Sequence, residues 1–390
     1  MFKTSKRLTK VPPYLFAEID KKKAAAIKKG IDIISLGIGD PDQPTFNYIV
    51  EAMHKEIDNS KNHDYPPYIG TLEFRSAACN WYKKKFNVDI SPHKEMIALI
   101  GSKEGIAHIF WGIVDQGDTV LVQSPCYPVY RMGTIMAGGE VIEIPSPPEN
   151  NFVPDFESLP KKVLDKAVMV MINFPNNPTA ATVGLDYFEK IVSLAKKHDF
   201  LVVHDLAYAD IVFDGYKAPS ILQVKGAKDC AIEFASLSKS YNMTGWRIGF
   251  AAGNETAVQA LSQIKTNIDS GAFKAIQNAA IVALNSSDEK IIEQNKMYQE
   301  RRDVVIEGLQ SLGWNIPPPK ATFYIWAPVP KGTTSIDFCS EMLDKCGIII
   351  VPGNGYGEAG EGFFRIAITQ SVDRIKEAMK RMKDSGIKFK

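Results

Sequence analysis

Apolar residues in this chain gather into short continuous runs, separated by longer stretches of mixed character. Met96–Ile100, Thr119–Gln123, Val141–Ile144, Ala167–Asn173, Phe200–His204 and Cys230–Ser236 are strand-sized, and the best of them lack polar alternation. Strands of that kind are buried on both faces, as in a parallel sheet covered by helices. Between them, Glu104–Val114 and Leu185–Lys197 have the apolar spacing of amphipathic helices. The pattern predicts an α/β fold.

After Pro317, Pro318 and Pro319 the texture changes. Thr322–Ala327, Gly347–Val351 and Phe363–Thr369 read as strands, and Ile336–Lys345 and Val372–Lys383 as helices. A long helix from about Ser286 to Leu312 joins the two parts. Residues 15–29 read as an amphipathic helix ending at Gly30, and Ile31–Gly39 as a short strand before the turn Asp40–Pro44. The expected division is a large domain of residues 45–285 and a smaller α+β domain of residues 1–44 and 286–390.

Composition narrows the function classes. With 390 residues the chain can bury a sizeable core. A formal charge of +1 leaves no basic stripe, so no nucleic-acid partner is expected. Five scattered cysteines without close Cys-x-x-Cys spacing read as reduced thiols of a cytoplasmic protein. The basic N-terminus lacks the apolar run of a signal peptide, and no stretch is long enough to span a membrane. The six histidines form no ligand cluster, so no metal is expected, and His204 reads as a satisfied core residue.

In open α/β sheets ligands bind beyond the carboxyl ends of the strands, so the residues after each run matter most. Gly101-Ser102-Lys103 is either a phosphate cradle at a helix N-terminus or an ordinary loop with a capping serine. Tyr127, between Pro125 and Pro128, can stack on a planar ring or pack in the core. Asn177, before Pro178, makes a turn and can donate to a phenolic oxygen. Asp205 ends a buried run, where a carboxylate is costly without a partner. A pyridinium nitrogen would offset that cost, and Tyr208 three residues on can reach the same ring.

The last exit is Ser236-Leu237-Ser238-Lys239, with Arg247 eight residues beyond the lysine. A nucleophilic lysine needs surroundings that disfavour its charge. An arginine offers a bidentate fork for phosphate. Together they read as the anchor of pyridoxal 5′-phosphate, PLP. Arg365, in an otherwise apolar strand, needs a partner such as a substrate carboxylate.

The ordered set Asn177-Pro178-Thr179, Asp205-x-x-Tyr208, Ser236-x-Ser238-Lys239, Arg247 and Arg365 resembles the class I/II aminotransferases of PLP fold type I, from about residue 30 to the C-terminus. The resemblance implies a mostly parallel seven-stranded sheet between helices and a homodimer with its active sites at the subunit interface. It implies that Lys239 forms the Schiff base with the cofactor and shuttles the proton. Asp205, Tyr208 and Asn177 would hold the pyridine nitrogen and O3′, and Tyr127 would stack. Ser102, Lys103 through its backbone, Ser236 and Arg247 would hold the phosphate, and Tyr65 would reach the neighbouring subunit's phosphate. Gly39 and Arg365 would bind the substrate α-carboxylate, with Tyr127 and Asn177 also against substrate.

Within the family, Tyr14–Ile19, Ile34–Pro41, Phe213–Ser220 and Tyr241–Arg247 resemble the LL-diaminopimelate aminotransferases. These exchange an amino group between glutamate/2-oxoglutarate and tetrahydrodipicolinate/LL-2,6-diaminopimelate in lysine biosynthesis. Tyr14 would contact substrate, Lys103 a distal carboxylate, and Asp42 or Gln43 the distal amino group. Residues 248–300 contain no arginine, which argues against one branch of aspartate aminotransferases. Another branch uses a lysine in the position of Lys103, so aspartate or alanine activity stays open, as does a PLP-dependent C–S β-lyase.

Overall fold

The computed structural model describes residues 3–11, 21, 23, 24, 28 and 30–389. Its centre is a seven-stranded sheet in the order Met96–Leu99, Gly249–Gly253, Ala231–Ser236, Leu201–Asp205, Ala167–Asn173, Thr119–Ser124, Glu140–Pro145. Gly249–Gly253 runs antiparallel to both neighbours, and every other pairing is parallel. The apolar runs are thus strands, as their lack of alternation predicts. Period-two geometry sends their side chains to two cores. Val170, Ile172, Val202, Ala231 and Ala235 join one face. Met169, Met171, Val203, Ile232 and Phe234 join the other.

Three neighbouring strands end side by side. Asn173 is in register with Asp205, and Asp205 with Phe234, two residues before Ser236. The asparagine, aspartate and lysine exits therefore converge at one edge of the sheet. Helices begin after the strands Met96–Leu99 and Ala231–Ser236. Ser102–Ile113 follows Gly101 at φ 91°, and Leu237–Ser240 is capped by Ser236, whose Oγ accepts from the Ser238 N–H at 3.2 Å.

A third apolar core surrounds Trp314, Phe323, Phe338 and Phe364. It underlies a three-stranded antiparallel sheet in the order Val351–Pro352, Phe363–Ala367, Tyr324–Pro328. The strand expected over Gly347–Val351 is broken in two. Ile348–Ile349 pairs in parallel with Ile34–Ser35, whereas Val351 turns to face Arg365. The two halves serve different partners, so neither extends across residue 350.

The helix Glu289–Ser311 joins the parts. Gln294 donates to the Lys239 carbonyl at 3.2 Å and Asn295 to the Asp210 carbonyl at 2.7 Å. Midway along it Arg301 grips Asp42 with two bonds of 2.7 and 2.8 Å. Residues 6–10 form a single 3-10 turn, and Arg7 donates to the Met136 carbonyl at 3.2 Å. They lie against the helix Val129–Ala137. Tyr14 and most of the predicted helix 15–29 fall outside the described residues, although 21, 23, 24 and 28 are helical. Among the described residues no helix is long and apolar enough to cross a membrane.

Candidate active site

A cavity of about 370 Å³ opens where the strand exits meet the smaller sheet. Its walls include Gly39, Ser102, Lys103, Tyr127, Asn177, Asp205, Tyr208, Ser236, Lys239, Arg247 and Arg365. Tyr65 stands apart. It is 81 % exposed and lines a different surface depression, with His63, Ser270 and Phe273.

One end of the cavity is cationic. Arg247, held at φ 56°, donates to the Thr244 carbonyl at 2.8 Å and lies directly over Gly101. A Cβ at Gly101 would collide with the guanidinium, and the φ of 91° disfavours any side chain there. Ser102 and Ser236 start the two helices beside it, so hydroxyls, helix N–H groups and a fixed positive charge share one corner. That donor set fits a phosphate.

The opposite end is anionic. Asp205 is 5 % exposed. Its Oδ2 accepts from the Tyr130 phenol at 2.7 Å and its Oδ1 from the Ala207 N–H at 3.1 Å. Burial pushes its carboxyl above the ordinary carboxylate range, against the two hydrogen bonds and the charge of His204. A cationic ring nitrogen would complete this end of the site.

Lys239 follows Ala231–Ser236, the strand that lies between the one ending at Asp205 and the one following Arg247. Its Nζ donates to the Gly39 carbonyl at 2.9 Å and sits 5.5 Å from the Phe323 ring centre. Burial pulls its ammonium down to about 8, opposed by Asp40 and helped by Arg365 and Arg247. A lysine so tuned is partly neutral, and therefore nucleophilic, near neutral pH.

Arg365 is 1 % exposed. It donates to Asn177 Oδ1 and to the Gly37 carbonyl, each at 2.7 Å, and lies 4.0 Å above the Tyr324 ring. A guanidinium only donates, so Asn177 turns its oxygen to Arg365 and keeps its amide N–H groups as donors. Tyr208 meets Tyr324 hydroxyl to hydroxyl at 2.9 Å. Gly39 packs against Tyr324 so closely that any Cβ would overlap the phenol. Lys103 Nζ lies 5.5 Å from the centre of the Tyr127 ring.

His204 points to the opposite face of the sheet. Its Nε2 must donate to the Phe174 carbonyl at 3.0 Å, since a carbonyl only accepts, and its Nδ1 meets Glu233 at 2.7 Å. Glu233 also accepts from Tyr82 and Ser220 at 3.0 and 2.7 Å. Among the described residues Glu104, His108 and Asp269 come close enough to suggest a metal site. The buried Lys265 ammonium occupies it, 2.8 Å from both carboxylates.

The site fits PLP at each of its functional groups, with a cationic corner, a buried carboxylate, phenol and amide donors, and a tuned lysine. Residues 31–382 match the family described as aminotransferase class I and II. The chain belongs to the class I and II aminotransferases. As a member it is a PLP-dependent transaminase of fold type I. This aminotransferase is 54 % identical over 386 residues to LL-diaminopimelate aminotransferase 2 of Trichormus variabilis, covering 99 % of each chain. It is 54 % identical over 389 residues to the LL-diaminopimelate aminotransferase of Gloeobacter violaceus, again covering 99 % of each. Among solved structures, substrate-bound BacF from Bacillus subtilis superposes with a TM-score of 0.97 at 33 % identity, covering 100 % of this chain and 99 % of that one.

Several cavity residues of the aminotransferase escape sequence reasoning: Tyr130, Asn173, Thr244 and Tyr324. Tyr130 had a usable signal. It follows Tyr127 by three positions at the start of a helix, Val129–Ala137, which brings both rings to one side at 6.0 Å. Tyr324 sits in an apolar strand and reads as core.

Proposed function

We propose that this chain is a cytoplasmic LL-diaminopimelate aminotransferase, moving an amino group between glutamate/2-oxoglutarate and tetrahydrodipicolinate/LL-2,6-diaminopimelate. The likeness to curated relatives over 99 % of both chains supports the substrate. The observation that carries the reaction type is the convergence of Lys239, the buried Asp205 and the Arg247 corner on one cavity.

Bound there, PLP supplies an electron sink that makes the substrate Cα–H acidic. The chain's own residues do the rest. Arg247, Ser102 and Ser236, with the backbone of Lys103, would hold the phosphate. Asp205 would hold the ring nitrogen through its charge, and Tyr208 and Asn177 would donate to the phenolic oxygen. Tyr127 would cover the ring. Arg365, aimed by Asn177 Oδ1 and the Gly37 carbonyl, receives the substrate α-carboxylate beside Gly39. Lys239 Nζ would take the proton from the substrate Cα and hand it on to the cofactor carbon that receives the amino nitrogen, the 1,3-transfer that transamination requires.

Tyr65 is assigned to a neighbouring copy. It is exposed on its own chain and lines no part of its own cavity, which supports a homodimer in which it reaches the partner's phosphate end. The distal amino group is a different matter. Asp42, one of two residues considered for it, already has both carboxylate oxygens on Arg301, and Gln43 donates to the same carboxylate at 2.9 Å. Both are therefore assigned to structure. Lys103 remains the proposed contact with the far end of the substrate, and Tyr14 a proposed substrate contact.

A coupled assay of the purified enzyme with 2-oxoglutarate tests the substrate. LL-diaminopimelate should outperform aspartate and alanine as donor. Activity with aspartate or alanine alone, or pyruvate released from cystathionine without an acceptor, would replace the proposal.

A further inference from the structure

Tyr324 touches three groups that the proposed function uses separately. Its hydroxyl is 2.9 Å from the Tyr208 hydroxyl. Its ring lies 4.0 Å beneath the Arg365 guanidinium. Its phenol fills the space next to Gly39, where no Cβ fits. Register explains the convergence. Tyr324–Pro328 pairs with Phe363–Ala367 so that Tyr324 faces Ala367 and Trp326 faces Arg365, which puts Tyr324 diagonally beside Arg365 on the same face. Tyr324 is buried, and its ring also packs edge-on against Tyr208 at 5.6 Å.

Proton counting gives the hydroxyl pair a direction. Each phenol has one proton. If Tyr208 donates to the phenolic oxygen of the cofactor, its own oxygen is left to accept, and the neighbouring donor is Tyr324. Burial pushes the Tyr208 phenol well above its ordinary value, so it stays protonated and can donate. A phenol that accepts one hydrogen bond donates a stronger one.

We propose that Tyr324 is a positioning residue that sets two contacts at once: its hydroxyl polarises Tyr208 toward the cofactor's phenolic oxygen, and its ring supports Arg365 for the substrate carboxylate. The inference rests on the proposed roles of Tyr208 and Arg365. It adds that the two are coupled through one side chain, the first by its hydroxyl and the second by its ring.

Two substitutions separate the halves. Tyr324→Phe removes the hydroxyl and keeps the ring, and Tyr324→Leu removes both. The readouts are the apparent pKa of the lysine-bound cofactor, from absorbance titration of the holoenzyme, and the KM for the amino donor. Tyr208→Phe is the reference. Tyr324→Phe should raise the apparent pKa by about 0.3–1, in the direction of Tyr208→Phe but by less, with KM within about twofold of wild type. Tyr324→Leu should raise the pKa similarly and raise KM about 5- to 30-fold. A shift in Tyr208→Phe with none in Tyr324→Phe overturns the coupling while leaving the role of Tyr208 standing. An unshifted pKa in Tyr208→Phe overturns that role and the inference with it. A wild-type KM in Tyr324→Leu overturns the support given to Arg365.

Discussion

The Tyr130 phenol donates to Asp205 Oδ2 at 2.7 Å, from a helix on one side of the sheet to the end of a central strand. The bond favours the charged carboxylate and opposes the burial that would neutralise it. Tyr130→Phe should therefore weaken cofactor binding by about 10- to 150-fold, the worth of one hydrogen bond to a charged group. Asp205→Asn should cut turnover by about 10²–10³-fold, because the fixed charge opposite the ring is lost. Titration of the apoenzyme with PLP, followed by steady-state kinetics, checks both.

Lys239 gives a pH prediction for the apoenzyme. Its ammonium titrates at about 8, so about one-tenth is neutral at pH 7 and about nine-tenths at pH 9. Labelling with an amine-selective reagent, read by peptide mass spectrometry, should rise to half-maximum near pH 8 at Lys239. Exposed lysines should lag by about two pH units. The sign follows from the cause: burial disfavours the charged form, so the neutral amine appears earlier as pH rises.

Gly39→Ala should damage substrate binding more than cofactor binding. The new methyl would overlap the Tyr324 phenol, which must move away from Arg365. Overpacking of this kind costs about 1–3 kcal/mol. The expected outcome is a KM for the amino donor raised about tenfold, with PLP affinity changed less than threefold. Equal losses in both would contradict it.

Asp42→Asn should lower stability without changing donor preference. Arg301 is nearly fully buried, and the substitution leaves its charge without the bidentate partner. Burial raises the Asp42 carboxyl, but the Arg301 bonds and charge outweigh it, and the group ends below its ordinary value. A depressed carboxylate stabilises the fold above its unfolded value, near pH 4, and that contribution fades as pH falls through the folded value. The melting temperature of wild type should exceed that of Asp42→Asn at pH 7, and the gap should close below about pH 4. A changed ratio of LL-diaminopimelate to aspartate activity would instead return Asp42 to the substrate.

The candidate site was legible in sequence as a cluster because its residues follow runs that are buried on both faces. Asn177, Asp205 and Lys239 follow successive apolar strands, and those strands are neighbours in the sheet. Gly249–Gly253 was not legible, since Gly-Phe-Ala-Ala-Gly lacks branched residues and is a strand by virtue of its two partners. Tyr324 and Tyr130 were missed because a tyrosine in an apolar strand or on a helix reads as core until its hydroxyl partner is known. Asp42 shows the limit from the other side. Its arginine lies on a helix far along the chain, and nothing local to the Asp40–Pro44 turn signals the pair.

The most direct test is a single half-reaction. Holoenzyme is mixed with LL-diaminopimelate without any keto acid, its absorbance is followed, and the sample is then treated with borohydride and mapped by mass spectrometry. The lysine-bound cofactor band should disappear, and reduction should no longer attach the cofactor to Lys239, whereas untreated enzyme is labelled there. Aspartate and alanine should leave most of the band and most of the Lys239 label in place. An unchanged band with LL-diaminopimelate, or labelling of another lysine in the untreated enzyme, would contradict the account.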